Sequence, residues 1–180
     1  MKKSILIIAG FIAVLTACQS PKEKALKEID TLEVQDSTFS MENMAKLRDA
    51  YVTYAEKYPD DERSPEFLFK AGQRCSVLAS QNNDSKQHLE AVKLFQRIRT
   101  NYPKHHMAEE SMFLTGYIYE NHLGDTAKAR RTYIEFIAAY PDGELAEEAN
   151  LALRNIDVPL DQIIGQQKLQ KEDTTTFVKK

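Results

Sequence analysis

From Met44 onward apolar residues recur at spacings of three and four, the period of one helix face, and no stretch alternates long enough to predict a strand. Met44, Leu47, Tyr51, Tyr54 and Tyr58 form one such stripe, with Ser40 placed to cap its start. Ala91, Phe95, Ile98 and Tyr102 form a second, and Ala129, Tyr133, Phe136 and Tyr140 a third. Each stripe ends on the tyrosine of a Tyr-Pro pair. Proline disfavours helix in the residue before it and cannot donate to the preceding turn, yet it suits the first turn of a new helix. Tyr58-Pro59, Tyr102-Pro103 and Tyr140-Pro141 therefore each predict the end of one helix and the approach to the next.

The three junctions also share a register. Twelve residues before each proline stand Leu47, Ala91 and Ala129, eight before it Tyr51, Phe95 and Tyr133, and thirteen after it Gly72, Gly116 and Arg154. Such self-similarity marks an internal repeat. The prolines are 44 and then 38 residues apart, and the extra length falls around Gln81-Asn82-Asn83-Asp84, where a loop absorbs it at little cost.

The beginning of the chain reads differently. Met1-Lys2-Lys3 and the apolar run Ile5 to Val14 predict a secretion signal, too short to span a bilayer as a mature helix. Leu15-Thr16-Ala17-Cys18 follows and resembles the bacterial lipobox, which implies a signal peptide over 1–17, a mature chain starting at an acylated Cys18, and durable membrane attachment through several acyl chains. Residues 18–40 are charged and weakly patterned, and are expected to form a tether with at most one short helix. Beyond Pro159, Leu160, Ile163 and Ile164 predict a short helix capping the end of the array, and residues 170–180 a disordered tail.

The formal charge of −3 argues against nucleic acid as a partner. With Cys18 acylated, Cys75 has no disulfide partner, and it falls in step with Leu68, Ala71 and Leu78 as a small core residue. His106 and Glu110 are four apart and share a helix face, which is the one arrangement that invites a metal. Acidic residues also suit the positive end of a helix dipole, and Glu147-Glu148 hold the same place in the next unit without any histidine. His88 and His122 are isolated, and there is no phosphate-binding glycine loop, serine elbow or Cys-x-x-Cys. No cofactor and no catalysis are expected.

Gly116-x-x-Tyr119, Gly124-Asp125, Ala129-x-x-x-Tyr133 and Pro141 resemble a tetratricopeptide repeat, and Gly72, Ala91, Phe95 and Pro103 match a second unit with Cys75 at the aromatic position. The resemblance implies an all-α, right-handed solenoid of antiparallel helix hairpins over residues 41–169, with about two and a half repeats between 41 and 157. It further implies a groove lined by the first helix of each hairpin. Counted from the glycines, the groove positions are Glu66, Phe69, Gln73 and Ser76, then Glu110, Phe113, Tyr117 and Glu120, then Glu148, Leu151 and Asn155. Apolar anchors beside acids suit a peptide with basic flanks. The same aromatics serve equally well as packing against a neighbouring helix of the array.

A lipobox joined to such repeats, with Tyr140-Pro141 followed by Ala146 and Ala149, resembles the helical-repeat lipoproteins of the outer-membrane barrel-assembly machinery. Gln19 after the acylated cysteine agrees with release to the outer membrane. The resemblance implies a lipid-anchored, non-enzymatic scaffold for an envelope protein or peptide, on the periplasmic side. A surface-exposed lipoprotein and an adaptor like the repeat protein of the Tol-Pal system are the alternatives; the lipobox argues against the second.

Overall fold

The computed structural model describes residues 19–36 and 40–158. The expected signal peptide, Cys18, the capping helix with Leu160, Ile163 and Ile164, and the tail 170–180 lie outside the described residues. Seven helices follow one another: α1 (Pro21–Asp36), α2 (Met41–Lys57), α3 (Ser64–Asn82), α4 (Ser85–Asn101), α5 (Met107–Asn121), α6 (Thr126–Ala139) and α7 (Ala146–Asn155). Each packs on its neighbour in the chain, and α3 also touches α5. The result is an all-α helical-repeat solenoid, with no strand among the described residues. Nor is any described helix long and apolar enough to cross a membrane.

The Tyr-Pro junctions repeat in atomic detail. Tyr58, Tyr102 and Tyr140 all end their helices with φ between −132° and −130° and ψ between 52° and 62°. From each tyrosine carbonyl the chain then advances in two three-residue steps, Tyr58 to Asp61 to Ser64, Tyr102 to His105 to Ala108, and Tyr140 to Gly143 to Ala146, each closed by a backbone N–H to C=O bond of 2.9–3.2 Å. Ser64, Ala108 and Ala146 are buried at the end of the second step. Three junctions of equal geometry therefore launch α3, α5 and α7 in the same register. That register is the one the prolines define in the sequence.

Within each hairpin the close approach occurs at glycine. A Cβ on Gly72 would stand 2.7 Å from the Phe95 ring, and one on Gly116 would stand 2.7 Å from the Tyr133 ring. The turns between paired helices share a device that sequence spacing hides. Asn83 at φ 51° and Gly124 at φ 62° both adopt the left-handed conformation that reverses the chain. Each precedes an aspartate, Asp84 or Asp125, whose carboxylate accepts from backbone N–H groups at the start of α4 or α6. Asn83-Asp84 is thus the counterpart of Gly124-Asp125.

One segment differs from expectation. Residues 18–40, read as a tether with at most one short helix, contain the sixteen-residue α1, which packs along α2 with Ile29 only 1% exposed. Glu33 accepts from the Tyr51 hydroxyl and pairs with Lys70 of α3 at 3.2 Å, while Lys22 pairs with Asp61 in the first junction. The ordered array therefore begins at Pro21 rather than Met41 and holds three hairpins and a lone α7 among the described residues. The reason it reads weakly is that Ile29 is its one fully buried apolar side chain; Ala25, Leu26 and Leu32 pack from the edge.

Candidate functional site

The equal launch of α3, α5 and α7 lines up the positions read as a groove, but their side chains divide into two sets. Eleven residues after each junction tyrosine stand Phe69, Phe113 and Leu151. Phe69 is 5% exposed and lies 5.6 Å from Phe95. Phe113 is half-buried, 5.8 Å from Tyr133 and 6.0 Å from Phe136. Both pack on the second helix of their own hairpin, Phe69 fully and Phe113 in part, which is the packing role that stood beside the anchor reading in the sequence. Leu151 holds the same register and is 48% exposed, at the last of the described helices.

The second set faces outward. Fifteen residues after the junction tyrosines, Gln73 and Tyr117 are exposed, Tyr117 to 43%, and Asn155 is half-buried. Glu110 and Glu148 are exposed in the first turns of α5 and α7, where the helix dipole favours an acid. Ser76 is half-buried on the same side. α3 and α5 are in contact, so Gln73 and Tyr117 belong to neighbouring helices of one face.

Two of the acids are already engaged. Glu66 pairs with Lys70 at 2.9 Å, a partner that sequence reading missed although the spacing of four residues on one helix announces it. Glu120 accepts from the Tyr133 hydroxyl at 2.8 Å, and burial together with that carboxylate pushes the phenol far above its usual range, keeping it a donor. Negative charge open to a ligand therefore sits on Glu110 and Glu148. An apolar neighbour, Val77, is 44% exposed on α3 and was also missed, since it stands outside the repeat's register.

A ring stack borders this face. Tyr117 meets His122 edge-on, with centroids 5.7 Å apart, and His122 lies parallel to the buried His88 at 4.2 Å. His105 and His106 adjoin each other at 4.3 Å at the start of α5, where His105 Nδ1 accepts from the Met107 N–H. Among the described residues no three His, Cys, Asp or Glu side chains are grouped to hold a metal ion. Cys75 is buried, its thiol donates to the Gln87 carbonyl at 3.2 Å, and burial raises its pKa, so it is a core residue rather than a nucleophile.

The tetratricopeptide repeat family model matches residues 78–105 and 110–143. The first match runs from the end of α3 through α4 and its Tyr-Pro junction, and the second covers the α5–α6 hairpin and the next junction. No curated protein matches the chain. The matched segments and the repeated hairpin geometry thus make the chain similar to tetratricopeptide-repeat proteins, which in general bind other proteins.

Proposed function

We propose that the protein is a lipid-anchored scaffold of a bacterial envelope, held at the periplasmic face of the outer membrane through Cys18, which grips a basic peptide segment of an envelope protein on the face of α3, α5 and α7. The observation that carries the binding site is the outward-facing series on α5. Glu110 and Tyr117 stand seven residues apart, two turns of one helix, and both are exposed, whereas Phe113 between them is turned into the seam. A ring and carboxylates on a rigid helix face offer a basic side chain both contact area and charge. Glu148 extends the acidic character onto α7.

The anchor reading is supported by the lipobox and by how little chain follows it. Only Gln19 and Ser20 lie between Cys18 and α1, so a lipid at Cys18 holds the array close to the bilayer. A part in the assembly of outer-membrane proteins is the specific role proposed, on the resemblance to the repeat lipoproteins of that machinery.

Recovery of partners from detergent-solubilised envelopes tests the binding face, with Tyr117→Glu compared against Ile134→Glu. Ile134 is 52% exposed on α6 and lies off the proposed face, so it controls for any added surface charge. The expected result is a stoichiometric partner lost with Tyr117→Glu and with Glu110→Lys/Glu148→Lys, and retained with Ile134→Glu. Equal recovery by all variants overturns the site. Labelling with radioactive palmitate, absent from Cys18→Ser, tests the anchor separately.

A further inference from the structure

The stacked rings of His88 and His122 link the core to Tyr117 on the proposed binding face, and the peptide reading gives neither histidine a role. His88 lies in the first turn of α4 and is 4% exposed. Its ring is 4.2 Å from that of His122 and only 13° from parallel. His122 is the C-cap of α5, exposed, and its ring meets Tyr117 at 72°. One imidazole is therefore sealed in the protein, the other is open to water, and the third ring of the series is the exposed aromatic of the site.

Little around the pair accommodates positive charge. The titratable groups that face His88 are His122 from the end of α5 and Asp84 at the N-cap of its own helix. Asp84 is committed to the backbone N–H groups of Lys86 and Gln87, at 2.9 and 3.4 Å. Nδ1 of His88 is buried without a hydrogen-bond partner. Burial first, and His122 second, hold His88 below the ordinary histidine range. Two imidazolium ions at this separation repel, and the inner one has no solvent to screen it.

His122 also stands where α5 ends. His122 and Leu123 both donate their backbone N–H to the Ile118 carbonyl at 3.1 Å, and the Asp125 N–H closes the turn onto Tyr119 at 2.8 Å. His122 sits at the centre of these bonds. We infer that the His88–His122 stack is an acid-sensitive latch, which at neutral pH fixes Tyr117 for peptide contact and on acidification releases the end of α5 and Tyr117 with it. This regulation rests on the reading of Tyr117 as a contact residue. The latch itself exists without a partner, and so can be tested without one.

The test is an NMR titration of the purified protein from about pH 7.5 to about pH 5, the interval in which histidine changes charge. The Tyr117 ring resonances should move together with those of His88. Exchange of the Leu123 amide, corrected for its intrinsic pH dependence, should rise about tenfold or more as the helix end opens locally. His122→Gln, at an exposed position, should leave Tyr117 insensitive to pH. His88→Phe keeps a stacked ring that cannot charge, and should do the same. Tyr117 resonances that follow no histidine, or an acid response that survives both substitutions, overturn the latch. Failure of the binding face would show instead as unchanged partner recovery with Tyr117→Glu at pH 7.5.

Discussion

The Tyr102 hydroxyl donates a 2.6 Å hydrogen bond to the Pro59 carbonyl, tying one Tyr-Pro junction to the one before it across 43 residues of chain. A cleft of about 700 Å³ separates the two junctions, lined by Asp60, Pro65 and Pro103 among others, and this bond spans it. The tyrosine thus ends its own helix and also sets the spacing of successive hairpins. Tyr102→Phe removes the donor while leaving the ring, and should destabilise by about 0.5–1.5 kcal/mol, the ordinary net worth of such a bond. Equilibrium urea unfolding measures it.

The hairpin seams predict a sharper loss at glycine. Gly116→Ala places a methyl group 2.7 Å from Tyr133, a fully buried ring also held by its hydroxyl bond to Glu120, so the ring cannot swing aside. Overpacking of this kind costs about 1–3 kcal/mol. Tyr133→Leu combined with Gly116→Ala should recover part of that loss, because the smaller side chain vacates the contact. Thermal unfolding of Gly116→Ala, Tyr133→Leu and the double variant gives the comparison, the recovery being read as a smaller cost of Gly116→Ala in the Tyr133→Leu background.

α1 should be separable from the rest of the array. Ile29 is its one fully buried apolar residue, and Ile29→Ala removes contacts worth about 2–5 kcal/mol where the surroundings cannot collapse. Because α1 packs on α2 at the start of the solenoid, the loss should appear as rapid hydrogen exchange in α1 with unchanged protection in α4 to α6. Uniform loss of protection along the chain would instead make α1 part of a single cooperative unit.

Asp61 predicts an acid limit to stability. Its side chain is only 4% exposed, and the Arg63 guanidinium, then Lys22, hold its carboxyl well below the usual range. A carboxyl whose folded pKa lies below its unfolded value of 3.8 contributes stability that is complete above that value and fades as pH falls beneath it. Thermal stability should therefore drop below about pH 4, and Asp61→Asn should reduce that drop while lowering stability at pH 7. The change falls well below the histidine interval, so it does not overlap the latch.

Phe113 and Tyr117 should respond oppositely to the same charge. Phe113→Glu drives a carboxylate between Tyr133 and Phe136 and should unfold the α5–α6 hairpin, seen as lost helical circular dichroism. Tyr117→Glu, at an exposed position, should leave helicity within a few per cent of the parent.

Local chemistry made much of this fold legible in the sequence. Proline can act only on the residues beside it, so Tyr58-Pro59, Tyr102-Pro103 and Tyr140-Pro141 settle where helices stop, and the register between them foretells the contacts of Gly72 with Phe95 and Gly116 with Tyr133. The equivalence of Asn83-Asp84 with Gly124-Asp125 escaped notice because two different residues reach the same left-handed conformation. Position in a repeat fixes a residue's height along its helix but not which neighbour claims its side chain. Phe69 and Phe113 share a register that reads as a groove, yet they are taken up by Phe95, Tyr133 and Phe136, because the second helix of each hairpin lies opposite them. The stacking of His88 on His122 joins residues 34 positions apart in two different hairpins, and only the packing of α4 against α5 brings them together.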